Sequence, residues 1–196
     1  MEAIPYMITI PEHSVYILID VQNSDPAKHP RGIPERRLQY LKNVERVTEY
    51  FRARGDVPII HIREIHRKDL VDFGRELDGA ENIHCVEGNP ESTYYEPTAP
   101  IEGEYTVDKR RYSAFFGTDL EILLRGLKAE HLFLVGGMTD ICVHYTAVDA
   151  HQYNYHVHVF KEACGTPSSD EVAQAALDNI EYFQTGSVIS VEDLFN

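Results

Sequence analysis

The stretch that most constrains this chain is residues 131–142, His-Leu-Phe-Leu-Val-Gly-Gly-Met-Thr-Asp-Ile-Cys, an apolar run that stops at two glycines and opens onto Thr139, Asp140 and Cys142. A short apolar run bounded by glycine reads as a buried parallel strand, and Val143, Ala147 and Ala150 then recur at helical spacing. The pattern predicts a strand that turns sharply into a helix, with Thr139 or Asp140 as its cap. Cys142 falls in the first turn of that helix. There, unpaired backbone N–H groups and the positive end of the dipole favour a thiolate and can hold an oxyanion.

Other segments read as the same kind of sheet. Residues 15–21, Val-Tyr-Ile-Leu-Ile-Asp-Val, form a β-branched apolar strand ending at Asp20, followed by Gln22 and Asn23. Pro26, Pro30 and Pro34 mark a loop, and residues 35–53 then place Leu38, Leu41, Val44, Val47 and Phe51 at helical spacing, with Gly55 as the stop. Residues 57–62 are a second strand, which makes a right-handed β-α-β unit. Residues 104–108 suggest a short strand, and Thr118 caps a helix through Leu120, Leu123, Leu124 and Leu127. After the cysteine helix come a strand at 156–160, a helix capped by Ser169, and a last strand at 186–191. His156 and His158 alternate on one strand face and are structural.

Residues 63–103 show no sustained period and read as a long excursion with local turns. Glu64, His66 and His84 within it raise the question of a metal. No histidine lies between His66 and His84, so Glu64-x-His66 is taken as a polar pair at a strand end and no metal or other cofactor is expected.

Whole-chain properties exclude several classes. The 196 residues suit one domain over 1–196, and the formal net charge of −14 repels nucleic acid. No run reaches the length of a membrane span, and the N-terminal residues lack the basic start and apolar core of a signal peptide, so a cytoplasmic protein is expected. Cys85, Cys142 and Cys164 are odd in number and widely spaced, which indicates free thiols rather than disulfides or a thiolate zinc site.

Asp20, Lys109 and Cys142 stand at strand ends, which converge on one edge of a parallel sheet. A thiol nucleophile, a carboxylate that takes and returns its proton, and a lysine ammonium that lowers the pKa of both form a chemically complete set. Lys109 leads into Arg110, Arg111, Tyr112, Ser113, Ala114, Phe115 and Phe116, where the aromatics are read as shaping an apolar pocket with Tyr112 and Gln22. Arg63, Arg110 or Arg111 are available for a substrate carboxylate.

These residues resemble the isochorismatase-like cysteine hydrolases, a family that includes nicotinamidases, N-carbamoylsarcosine amidohydrolases and biuret hydrolases. The resemblance is carried by Ile-Asp20-Val-Gln-Asn, by Lys109-Arg-Arg-Tyr-Ser-Ala-Phe, and by Gly137-Met-Thr-Asp-Ile-Cys142-Val with Thr146-Ala147-Val-Asp149-Ala150. His84-Cys85-Val86-Glu87-Gly88 also matches a segment that precedes the lysine, and Glu162-Ala163-Cys164 stands where the family has Asp-Ala.

The resemblance implies an α/β three-layer sandwich with a six-stranded parallel sheet flanked by helices, and a triad of Asp20, Lys109 and Cys142. It implies a cis peptide at Met138-Thr139 and an oxyanion site built from Met138, Thr139 and Cys142. It further implies a homodimer or homotetramer. Nicotinamidases bind a metal through Asp-x-His plus a second histidine downstream, whereas Glu64-x-His66 here is read as lacking that partner. The Lys109 segment looks closer to the carbamoyl-amide branch.

The expected activity is cysteine-dependent hydrolysis of a small amide or carbamoyl compound through a thioester, with release of ammonia. Isochorismate-type vinyl ether cleavage and a catalytically silent binding module are the alternatives.

Overall fold

The computed structural model describes residues 8–23 and 34–195; Pro26 and Pro30, read as loop markers, lie outside them. The elements are β1 (Ser14–Ile19), α1 (Pro34–Arg54), β2 (Ile59–Glu64), β3 (Tyr105–Lys109), α2 (Leu120–Gly126), β4 (His131–Gly137), α3 (His144–Gln152), β5 (His156–Gly165), α4 (Asp170–Phe183) and β6 (Val188–Ile189). The strands form one parallel sheet in the order β3-β2-β1-β4-β5-β6. This is the six-stranded α/β sandwich expected.

Every residue of β1 is buried because helices cover both of its faces. Val15, Ile17 and Ile19 pack with Leu120 and Leu124 of α2, Ala147 and Ala150 of α3, and Leu177 and Ile180 of α4. The alternate residues Tyr16 and Leu18 meet Leu41, Val44, Val47 and Phe51 of α1. Each such aliphatic or Phe side chain contributes roughly 1.5–3 kcal/mol by leaving water. Tyr16 stacks on Phe51 at 4.6 Å between centroids and shares a 3.0 Å hydrogen bond with Thr48 Oγ1, so its hydroxyl is satisfied inside the core. Leu38, the first position of the α1 period, is 60% exposed and does not join the core.

The sheet is closed at its centre by a contact that only glycine allows. Gly136 pairs with Ile19 at a φ of 121°, and a Cβ there would stand 2.0 Å from the Ile19 carbonyl oxygen.

The last strand is shorter than expected. Pairing ends at Ile189 because the Ser190 N–H donates to Asp193 Oδ2 at 2.9 Å while Ser190 Oγ accepts from the Glu192 N–H at 3.3 Å. This capping box starts a 3-10 turn over Val191–Leu194 in place of more strand.

The excursion between β2 and β3 holds three short 3-10 turns, Glu76–Asp78, Pro90–Ser92 and Glu96–Thr98. Isolated bridges join it to the sheet edge at His66 and Val86 and at Gln22 and Tyr94. The Gln22 amide is the rivet. Its Nε2 donates to the Glu64 carbonyl at 2.9 Å and the Glu91 carbonyl at 3.0 Å, and its Oε1 accepts from the Glu64 N–H at 2.8 Å. Among the described residues, no helix is long and apolar enough to cross a membrane.

Candidate active site

Adjacent strands end in charged residues at the carboxyl edge of the sheet. Asp20 follows β1 in left-handed backbone, φ 52°, a conformation aspartate tolerates better than most residues, and its N–H donates to Ile62 O at 3.1 Å. Glu64 and Lys109 end β2 and β3 and are register partners. Cys142 comes from beyond β4, in a single π-helical turn over Thr139–Val143 that leads into α3. The Met138 carbonyl accepts from both Ile141 and Val143 at 3.1 Å, and this wide turn directs Cys142 back over the strand ends.

The four side chains meet around the lysine. Lys109 is 0% exposed. Its Nζ stands 2.8 Å from Asp20 Oδ2 and 3.8 Å from Glu64 Oε2, and donates to Cys142 Sγ at 3.5 Å. Carboxylate oxygens of Asp20 and Glu64 and the Cys142 sulfur all lie within 4.8 Å of one another.

Burial works against the ammonium, but Asp20, Cys142 and Glu64 outweigh it and hold Lys109 well above its ordinary value. Burial raises Asp20 to about 6, with Lys109 opposing and Glu64 adding to the rise. Burial also acts to raise Glu64, yet Lys109, His66 and His84 keep it well below the usual carboxylate range. Of the two carboxylates, Asp20 is therefore the one that takes up a proton more readily.

The Cys142 thiol is pushed well up by burial, then by Asp20 and Glu64 against the pull of Lys109. This direction runs against the thiolate that its place at a helix start suggests. Burial of the sulfur is the largest cause, and it outweighs the pull of the ammonium. Cys85 and Cys164 are also raised, chiefly by burial, Cys164 to about 12, and neither is poised to react.

The non-proline cis peptide lies at Gly137-Met138, one residue before the Met138-Thr139 bond expected. Asp140 does not cap the helix. Its carboxylate accepts from Thr166 Oγ1 at 2.5 Å and Ser168 Oγ at 2.7 Å, which ties the cysteine turn to the loop between β5 and α4.

The residues expected to shape a pocket divide. Tyr112 is half-buried beside the cluster, its phenol raised by burial and then by the charge of Glu76. Phe115 turns instead towards Tyr153 and Tyr155, at 5.2 and 6.2 Å between centroids, and Phe116 is 66% exposed. The cause is the anchoring of this segment on α3, where Ala114 N donates to Thr146 Oγ1 at 3.0 Å and Ser113 Oγ to Asp149 Oδ2 at 2.5 Å. Gln22 spends its amide on the backbone bonds described above. The arginines offered for a substrate carboxylate all have partners: Arg63 forms a fork on Asp108 at 2.8 Å, Arg110 Nε donates to Asp72 Oδ2 at 2.8 Å, and Arg111 Nη1 donates to Asp72 O at 2.6 Å.

A second cluster adjoins the first and corrects the sequence reading. Glu64 was read as lacking a downstream partner for its pair with His66, but the excursion brings His84 to it, with Nε2 at 3.6 Å from Glu64 Oε1. His66 Nε2 lies 3.6 Å from the same oxygen and 3.4 Å from Glu76 Oε2. Glu64 counters the effect of burial on His84 and raises it to about 9. Carboxylates and imidazoles are a donor set suited to a divalent cation. Buried Glu64 Oε1, both ring nitrogens of His66 and both carboxylate oxygens of Glu76 lack hydrogen-bond partners, so the residues fit such an ion. Glu76 carried no signal in the sequence, being one acid among many in a stretch without period.

A family model described as the isochorismatase domain matches residues 14–193. The chain is 33% identical over 157 residues to the uncharacterized isochorismatase family protein PncA of Bacillus subtilis (strain 168), covering 75% of this chain and 83% of that one. It is 34% identical over 174 residues to ureidoacrylate amidohydrolase RutB of Yersinia enterocolitica, covering 80% of this chain and 74% of the relative. Among solved structures, nicotinamidase/pyrazinamidase PncA from Bacillus subtilis superposes with a TM-score of 0.78 at 26% identity, over 90% of this chain and 98% of that one.

Proposed function

The chain belongs to the isochorismatase domain family, and from that premise we propose that it is a cysteine-dependent amidohydrolase that cleaves the C–N bond of a small amide or carbamoyl compound. The observation that carries this reading is the Lys109 ammonium held at once against Asp20, Cys142 and Glu64 in a buried site at the strand ends.

In this reading Cys142 Sγ attacks the substrate carbonyl carbon while its proton passes to Asp20, whose raised affinity for a proton suits it to that exchange. The oxyanion that forms is received by backbone N–H groups of the turn around Met138, with Thr139 and Cys142 as the donors. Collapse of the intermediate breaks the C–N bond, and the leaving nitrogen takes the proton from Asp20 and departs as ammonia. Water then adds to the thioester, giving its proton to Asp20 as the new C–O bond forms. Loss of the thiol, reprotonated by Asp20, leaves the acid product. Lys109 stays charged throughout and offsets the negative charge as the sulfur proton moves.

Glu64, His66 and His84 would hold a divalent cation. When bound it supplies positive charge beside the side of Glu64 that faces away from Lys109. The relatives named above act on ureidoacrylate and nicotinamide or pyrazinamide, which share a small planar amide or carbamoyl group, and the substrate of this chain is taken to be of that class.

Ammonia release from a panel of ureidoacrylate, nicotinamide, N-carbamoylsarcosine, biuret and maleamate, with wild type beside Cys142→Ala, tests the reading. Turnover of at least one compound that vanishes in Cys142→Ala supports it. Turnover that survives the substitution overturns the thioester route.

A further inference from the structure

The order of the strands opens a crevice in the sheet. β1 sends the chain to α1 on one face, and β4 sends it through the cysteine turn to α3 on the other, so the two halves of the sheet run apart from their carboxyl ends. Open α/β sheets receive their ligands in the gap that this leaves. Asp20 and Cys142 follow the two strands that border it, and the first turns of α1 overhang it.

Two contacts fix that overhang. Arg37 Nη2 donates to the Gln22 carbonyl at 2.6 Å, two residues past Asp20. One turn on, the buried Tyr40 ring fills the room left by Gly165, where a Cβ would stand 2.3 Å from Tyr40 Cδ1. The Tyr40 hydroxyl lies 3.7 Å from the place that a Cβ of Gly137 would take. The start of α1 is thereby held on the ends of β1, β4 and β5, with the Arg37 guanidinium carbon 5.9 Å from the Tyr40 ring centroid. The Tyr40 phenol is raised chiefly by burial, while Arg37 lowers it and Asp20 raises it, so it feels both charges.

Arg37 differs from its neighbours in its partner. Arg46, Arg52, Arg54, Arg63 and Arg110 each meet a carboxylate, and Arg111 is spent on the carbonyls of Asp72 and Arg110. Among the described residues, the Gln22 carbonyl is the one acceptor that Arg37 has, in a chain whose net charge is −14. A guanidinium carries five N–H donors in a planar fork that fits a carboxylate two bonds at a time, and one carbonyl leaves most of that fork unused. Lys109, the other cation at these strand ends, is buried and already engaged by Asp20, Glu64 and Cys142.

We propose that Arg37 binds a carboxylate at the far end of the substrate, so that this chain acts on amide or carbamoyl compounds that also carry an acid group. The proposal rests on the amidohydrolase reading and names the substrate class within it. The scissile carbonyl lies towards Cys142 and the acid group towards α1, across the crevice.

The test uses the panel above, in which ureidoacrylate, N-carbamoylsarcosine and maleamate are anions at neutral pH while nicotinamide and biuret are uncharged. Wild type is expected to turn over at least one acid with a kcat/KM at least about tenfold above either uncharged compound. Arg37→Gln is expected to cut that preference at least about tenfold, chiefly through KM for the acid, and Arg37→Lys, which keeps the charge without the fork, to fall between. An equal loss for acids and uncharged compounds, or a wild type that prefers the uncharged ones, overturns the proposal and leaves the amidohydrolase reading standing. Calorimetry on Cys142→Ala decides without turnover. At least one acid is expected to bind it, and to bind the double variant with Arg37→Gln at least about tenfold more weakly. Failure of all three acids to bind Cys142→Ala overturns the proposal. Binding that depends on Arg37, with no ammonia released by wild type, keeps the carboxylate site and overturns the amidohydrolase reading.

Discussion

Glu64 and Lys109, register partners at the ends of β2 and β3, bring their charged groups to 3.8 Å, while the other Glu64 oxygen turns to His66 and His84 at 3.6 Å. One carboxylate thus belongs to both clusters, so a change in either is felt by the other. Lys109 is the positive charge common to Asp20 and Glu64.

Lys109→Met is expected to lower folding stability by about 3 kcal/mol, because it leaves two buried carboxylates without their cation. Adding Glu64→Gln to that variant should recover part of the loss by removing one of the stranded charges. Urea unfolding of wild type, the single variants and the double variant measures the coupling.

Cys142→Ser keeps the shape of the site and exchanges the nucleophile for a poorer one. A fall in kcat on the order of 10³-fold or more is expected, with the thermal midpoint nearly unchanged. Ammonia release and a thermal melt on the same preparation separate the two effects.

Two glycines should respond in opposite directions to alanine. Gly136→Ala places a Cβ 2.0 Å from the Ile19 carbonyl at a φ of 121° and is expected to cost about 3 kcal/mol or to prevent folding. Gly126→Ala, at the end of α2 with nothing within 4 Å of the new atom, should be neutral or stabilise by about 0.5–1 kcal/mol. Denaturant midpoints of the soluble variants give the comparison.

His158 carries a pH dependence that lies away from the active site. Burial, then the neighbouring His131 and His156, depresses it to about 4 from an ordinary 6.5. The unfolded chain therefore binds this proton at a higher pH than the folded one. Its contribution is fully present above pH 6.5 and is lost as pH falls towards 4, a change of roughly 2–3 kcal/mol. Urea midpoints at pH 7.5 and 4.5 should fall less in His158→Gln than in wild type.

The sheet was legible because its central strands are written as apolar runs with abrupt polar ends; Asp20 stands at such an end, Lys109 closes the edge strand β3, and Cys142 follows β4 in the next turn. The four helices announced themselves by period or by caps such as Ser169, whose Oγ accepts from Val172 N at 3.4 Å. The second cluster was not legible. Glu76 and His84 are brought to His66 by turns in a stretch with no repeat, and no spacing rule couples residues across such a path. The upward push on the Cys142 thiol is illegible for a related reason, since local helix position says nothing about how deeply the sulfur is buried or that Glu64 sits beside it. The packing of Phe115 on Tyr153 and Tyr155 and the exposure of Phe116 are illegible because the Thr146 and Asp149 anchors of their segment belong to another element.

The strand order carries a consequence for synthesis. Because β1 pairs with β2 on one side and β4 on the other, the first half of the chain can complete only β3-β2-β1. The open flank of β1, apolar throughout Val15–Ile19, then waits for its partner until the ribosome has passed residue 137. For that interval the nascent chain displays an unpaired hydrophobic strand edge, the kind of surface on which chaperones and neighbouring chains compete.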